Sequence, residues 1–162
     1  MTIDTIIDML LLLLAANGAP VIGQFLFGSR GALPVDCGRE LRDGRRLFGA
    51  SKTWRGLLLA VAACSALALL LGYGWAFGLV FGALSMTGDL LSSFIKRRMG
   101  LASGARSTAL DQLPEALLPS GFAVLALHLD VWWAGVLGLA FMLGQMVLSL
   151  PLYWLKIRKN PH

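Results

Sequence analysis

Four residues of one apolar stretch, Ser85, Asp89, Ser92 and Lys96, follow one another at intervals of four, three and four. That spacing lines side chains along one face of a helix. Ser93 lies beside the row and Gly88 precedes the acid. A carboxylate inside an apolar helix is unfavourable unless it meets a partner or water, so Asp89 is a functional candidate by default. It stands about 10 Å from Lys96 along a helix rising ~1.5 Å per residue. The row therefore opens toward the cationic run Lys96-Arg97-Arg98. The plainer alternative is an interhelical ion pair or serine-mediated packing. Asp111 follows a short polar stretch and returns to the same end, where it also suits a helix N-cap. Two carboxylates converging with Lys and Arg make a Mg²⁺–phosphate site.

A second group lies earlier, between Pro34 and Gly56. It mixes Gly with Asp36, Asp43, Arg45, Arg46, Lys52 and Arg55. Glycine lets backbone approach a ligand closely. Lys and Arg bind phosphates, and carboxylates bind the Mg²⁺ that accompanies nucleotide phosphates. These are the parts of a nucleotide site. They are not a P-loop, because Ala50 and Ser51 separate Gly49 from Lys52 and no strand precedes them. A polybasic connector with turn glycines has the same composition. Asp36 and Asp43 are left open between ligand and loop structure. Asn17 and Gln24 are left open between groove lining and packing.

The elements that must position these groups are apolar. Of 162 residues, 57% are hydrophobic and 14% charged, and the mean hydropathy is +0.72. A soluble domain carries about 25% charged residues, and a disordered chain carries far less apolar material. Five spans of roughly 20 residues fit, with about 60 residues left for loops. They fall near 5–27, 54–72, 75–98, 113–129 and 132–155, with polar loops near 28–53 and 99–112, in one membrane domain. The first stretch begins with Asp4 and Asp8 and no basic residue, which reads as a retained span rather than a signal peptide. Pro20 is expected to kink or interrupt it. Pro114 is expected in the first turn of the fourth span. Cys37 and Cys64 read as reduced and unpaired.

With five spans, the loops after the first and third spans and the tail fall on one side. Those three segments hold all 14 Lys and Arg. The positive-inside rule makes that side cytoplasmic, with the N-terminus outside and the C-terminus inside. The aromatic residues agree: Tyr73, Trp75, Trp132 and Trp133 mark the outer interface, and Trp54, Tyr153 and Trp154 the inner one. The net charge of +5 then reflects topology and anionic headgroups, with no nucleic-acid partner. The expected fold class is an all-α integral membrane protein of the plasma membrane.

At these residues the chain resembles the CDP-archaeol synthase family, within the broader phosphatidate cytidylyltransferase group. The matching pieces are Pro34-Val35-Asp36-x-Gly38, Asp43-Gly44-Arg45-Arg46, Gly49-x-x-Lys52-Thr53-x-x-Gly56, Gly88-Asp89-Leu90-Leu91-x-Ser93-Phe94-x-Lys96-Arg97-Arg98 and Leu110-Asp111-Gln112-Leu113. The resemblance implies a membrane enzyme with a cytoplasm-facing polar cavity that uses CTP and Mg²⁺ to turn a lipid phosphate into a CDP-lipid and pyrophosphate. It implies Asp89 and Asp111 as catalytic metal ligands, with Asp36 and Asp43 open as further ones. Lys96 joins the catalytic set. Asp43, Arg45, Arg46, Lys52, Thr53, Ser93, Arg97 and Arg98 are candidate contacts to the nucleotide and its phosphates. Partners are CTP, the lipid phosphate and membrane lipids, with a homodimer left open. Gly100-Leu101 stands where the phosphatidate enzymes carry Lys-Asp, and their His-Gly-Gly is absent, which argues against the diacyl branch. The competing readings are a small transporter or channel and a non-catalytic membrane subunit. A CDP-alcohol phosphotransferase is disfavoured, because Asp43-Gly44-Arg45-Arg46-Leu47-Phe48 lacks that class's Asp-Gly-x-x-Ala-Arg.

Overall fold

In the computed structural model, the backbone is described for residues 2–101 and 108–154, and the side chains for 2–101 and 112–145. Five helices follow in order: α1 (Ile3–Phe27), α2 (Trp54–Leu70), α3 (Trp75–Arg98), α4 (Thr108–Ala126) and α5 (Trp132–Trp154). Among the described residues there is no strand, only isolated antiparallel bridges Pro34–Thr53 and Glu40–Arg46. α1 and α3 are long and apolar enough to cross a membrane. α2, of 17 residues, and the apolar run Trp132–Gln145 are shorter.

Much of the helical surface is apolar as well as the core. On α1, Ile3, Ile7, Leu11, Leu14, Ile22 and Phe25 are exposed at helical spacing, while Met9, Leu12, Leu13 and Ala16 are buried. A continuous exposed apolar stripe of that kind belongs against lipid or a partner. The contact between α2 and α3 is lined by small residues. Ala60, Cys64 and Ala68 of α2 are fully buried and face Gly78 and Gly82 of α3. A Cβ on Gly78 would lie 2.2 Å from the Cys64 carbonyl oxygen, and one on Gly82 would lie 3.0 Å from the Val61 Cα. Small residues four apart let helix backbones touch, which is how helices associate without a hydrophobic driving force between them.

α3 and α4 pack as closely. A Cβ on Gly88 would lie 2.2 Å from the Pro114 carbonyl oxygen and 2.6 Å from the Glu115 Cα. Phe77 and Phe122 meet nearer the other end, with ring centroids 5.2 Å apart. The two helices therefore run antiparallel, and Asp89 lies close to the Pro114–Glu115 turn of α4.

The expected interruption at Pro20 and the expected place of Pro114 are corrected. α1 runs unbroken through Pro20, whose ring packs where a Gly56 side chain would be. An apolar setting offers the helix no water to compete for its backbone groups. α4 starts at Thr108, not near 113, so Pro114 lies inside it and Asp111 is helical rather than a cap or loop residue. The missing Pro114 N–H ends nothing there, because the helix continues on both sides of it.

Candidate active site

The loop between α1 and α2 is folded around one carboxylate. Asp36 is 3% exposed. Its Oδ1 accepts from the Gly38 N–H at 3.0 Å and from the Arg46 guanidinium; its Oδ2 accepts from the N–H groups of Phe48 at 3.2 Å and Gly49 at 2.9 Å. Burial by itself raises such a carboxyl. The Arg46 bond and the Gly49, Gly38 and Phe48 N–H groups outweigh it and hold Asp36 at about 2, below the ordinary 3.8. Inside this knot a tight turn forms, with the Leu41 N–H donating to the Arg45 carbonyl and the Leu47 N–H to the Arg39 carbonyl, both at 3.0 Å. Outside it, Val35 and Trp54 donate to the Lys52 and Leu33 carbonyls at 2.8 and 3.0 Å. That pairing delivers the chain to α2, where the Thr53 hydroxyl accepts from the Gly56 N–H at 3.2 Å and caps the helix.

A two-way clasp fastens the loop to α3. Arg45 Nη1 donates to the carbonyls of Arg97 at 3.3 Å and Arg98 at 2.8 Å. It thereby satisfies carbonyls that the end of α3 leaves open and sets a cation at the negative end of the helix dipole. In return, Arg98 Nη1 donates to both carboxylate oxygens of Asp43 at 2.6 Å. Arg98 Nη2 donates to the carbonyls of Arg45 at 3.2 Å and Arg46 at 2.8 Å. The slight burial of Asp43 raises its carboxyl, but the Arg45 N–H and the Arg98 guanidinium carry it below the ordinary range. Arg45, Arg46, Gly49, Arg97, Gly100 and Leu101 then wall a pocket of about 210 Å³. Arginine residues beside such a volume suit a phosphate-bearing ligand.

Deeper along α3, Lys52 Nζ donates to both oxygens of Asp89 at 2.6 Å. The side chains are 23% and 18% exposed, so the pair is sheltered but reachable. Ser92 donates to the Asp89 carbonyl at 2.9 Å, and Ser92, Ser93, Lys96 and Arg97 are buried. The structure thus brings Asp43, Arg45, Arg46, Lys52, Asp89, Arg97 and Arg98 to the basic half of α3. The Asp43 oxygens serve the clasp, the Asp36 oxygens the loop, and the Thr53 hydroxyl the start of α2. The Asp111 side chain, and with it the expected pairing with Asp89, lies outside the described residues. Its backbone stands one helical turn before Glu115.

Sequence reasoning passed over Glu115 as a site residue, and Gln145 altogether. Both are 7% exposed. Glu115 lies where α4 touches Gly88, and the signal was an acid beside a proline inside an apolar run. Magnesium takes one or two carboxylates and leaves its other positions to water and phosphate. Among the described residues no three Asp, Glu, His or Cys side chains gather. The oxygen donor nearest to that role is the Asp89 carboxylate, whose two oxygens are held by the Lys52 ammonium.

Comparison with known proteins bears on what this arrangement is for. The family model of the CarS-like CDP-archaeol synthases matches residues 2–74 and 64–157. A CDP-archaeol synthase of Hyperthermus butylicus is 41% identical over 106 residues, 62% of this chain, and the chain spans 60% of that relative's length. One of Sulfurisphaera tokodaii is 36% identical over 157 residues, covering 91% of this chain and 89% of its own. A solved structure of an intramembrane enzyme for archaeal membrane lipid biosynthesis is similar with a TM-score of 0.69 and 32% identity, covering 86% of this chain and 91% of that one.

Proposed function

The chain belongs to the CDP-archaeol synthase family, and from that premise we propose that it transfers the cytidylyl group of CTP to a lipid phosphate, releasing pyrophosphate. In this reading five helices span the plasma membrane, the N-terminus is outside, and the site faces the cytoplasm. The observation that carries it is the meeting of Lys52 with Asp89 on the helix whose end helps wall the arginine pocket.

The chemistry asks for alignment more than for a nucleophile. The lipid phosphate oxygen is already anionic and attacks the α-phosphorus of CTP. The oxygen bridging to the β-phosphate leaves with pyrophosphate. The protein's task is to bring two polyanions together and to stabilise the charge that builds on the leaving group. Arg45, Arg46 and Arg97 bind the triphosphate in the pocket. Lys52 turns from Asp89 to the phosphates as the nucleotide arrives. Lys96 and Ser93 complete the polar wall. Asp89, with Asp111, would hold Mg²⁺, which supplies further neutralisation of the phosphate charge when bound.

The test is purified protein with Mg²⁺, a lipid phosphate, and CTP labelled at the α- or the γ-phosphate. The α-label should enter the lipid phase and the γ-label should leave as pyrophosphate. Entry of the γ-label into lipid would make the protein a kinase. Transfer of neither label with any lipid phosphate would favour a transporter or a subunit.

A further inference from the structure

Ser85 stands one helical turn from Asp89 on the same face of α3, on the side away from the basic end. It is fully buried, and its Oγ has no hydrogen-bond partner. A helical hydroxyl has an acceptor within reach in the preceding turn. Thr87 uses it, donating to the Ala83 carbonyl at 2.8 Å; Ser85 does not. A second hydroxyl of this kind lies on the neighbouring helix. Ser120 of α4 is fully buried and its Oγ is also without a partner.

The antiparallel register sets their depth. From the contact of Gly88 with Pro114 and Glu115, Ser85 lies about 4.5 Å and Ser120 about 7.5 Å further toward the Trp75 end, at ~1.5 Å per residue. Two unpaired donors thus sit at similar depth on adjacent helices, just past the carboxylate and among apolar neighbours. Burying a hydroxyl without a partner is unfavourable, and an intramembrane polar group of this kind points to a ligand.

We propose that Ser85 and Ser120 bind the linkage oxygens on the glycerol backbone of the lipid phosphate. The proposal rests on the lipid-phosphate reading of the site and goes beyond it by naming what holds the lipid. With the phosphate at Asp89 and the tails in the apolar interior, the next polar atoms along the substrate are the oxygens that join its chains to glycerol. Ether oxygens and ester carbonyls both accept and cannot donate. A neutral hydroxyl supplies the donor and brings no charge into the apolar region.

Ser85→Ala and Ser120→Ala test this, singly and together. Both should fold, since alanine is the stronger helix former. Thr87→Ala, at an exposed position, serves as the control. Binding of the lipid phosphate alone is measured by calorimetry in detergent, and kcat and KM by cytidylyl transfer. The lipids are a diether glycerol phosphate, a diester one, and a long-chain alkyl phosphate without glycerol. Each serine substitution should weaken Kd and KM for the glycerol lipids by roughly three- to tenfold. CTP KM and all constants for the alkyl phosphate should stay unchanged. Loss for only one glycerol lipid identifies the linkage the hydroxyls read. Unchanged constants for both, or equal losses for the alkyl phosphate, overturn the proposal. Transfer that proceeds but ignores both substitutions defeats this inference alone. Discriminating lipid binding without any transfer defeats the activity reading alone, and a wild type that binds no lipid phosphate defeats both.

Discussion

Lys52 and Asp89 form the contact on which the chemistry turns. With Nζ at 2.6 Å from both carboxylate oxygens, the ammonium holds the acid in place. Removing Lys52 leaves a sheltered carboxylate unbalanced and a phosphate unsupported. Lys52→Ala should lower kcat/KM by at least ~100-fold, and Lys52→Arg should recover part of that, because a guanidinium keeps the charge but not the shape. Steady-state kinetics with CTP decide it, and a Lys52→Ala enzyme of normal activity would refute the assignment. Asp36 makes a separate prediction at the same scale. Its folded-state value of about 2 lies below the ordinary 3.8, so its stabilisation is present above the ordinary value and drains away as the pH falls toward 2. The full contribution is about 2 kcal/mol. Thermal melts in detergent should show that acid loss in the wild type and a much smaller one in Asp36→Asn, which should also be less stable at neutral pH.

At the scale of elements, two junctions hold the site together. Gly88 lets α4 rest on α3. In Gly88→Ala the new methyl would meet the Pro114 carbonyl at 2.2 Å, so the helices must separate. That should cost about 1–3 kcal/mol and reduce turnover more than stability suggests, because Asp89 adjoins the contact. The clasp is the other junction. Arg98→Ala and Asp43→Ala should each lower turnover ~10-fold or more by displacing the arginine pocket. The double substitution should be little worse than either, as expected of partners in one network. Additive losses in kinetics would mean that each residue meets substrate independently.

The same elements show what a sequence can disclose. Helix bounds were legible wherever apolar blocks met short glycine or charged links, as at Trp54, Trp75 and Trp132. The start of α4 was not, because proline chemistry suggests an end that tertiary packing overrides. The polar row of α3 was legible from spacing alone. Its partner Lys52, 37 residues away, was not, since no local rule links a loop cation to a distant helix. Nor was the knot around Asp36 readable, because three of its four donors are backbone N–H groups. Gly78 and Gly82 carry no local signal either, because their role is set by α2 packing against them.

For the whole molecule, orientation is testable with the two native cysteines. Cys37 is exposed on the loop that carries the arginine pocket, and Cys64 is buried. A membrane-impermeant thiol reagent should label Cys37 in inverted vesicles and leave intact cells unlabelled. Labelling from outside intact cells would reverse the topology and move the site away from its nucleotide.

The most direct test of the account is transfer of α-labelled CTP into lipid by Asp89→Asn, an almost isosteric change that removes the charge Lys52 holds. Transfer should fall by at least ~100-fold while the protein stays folded in detergent. Label entering the lipid at the wild-type rate would contradict the account.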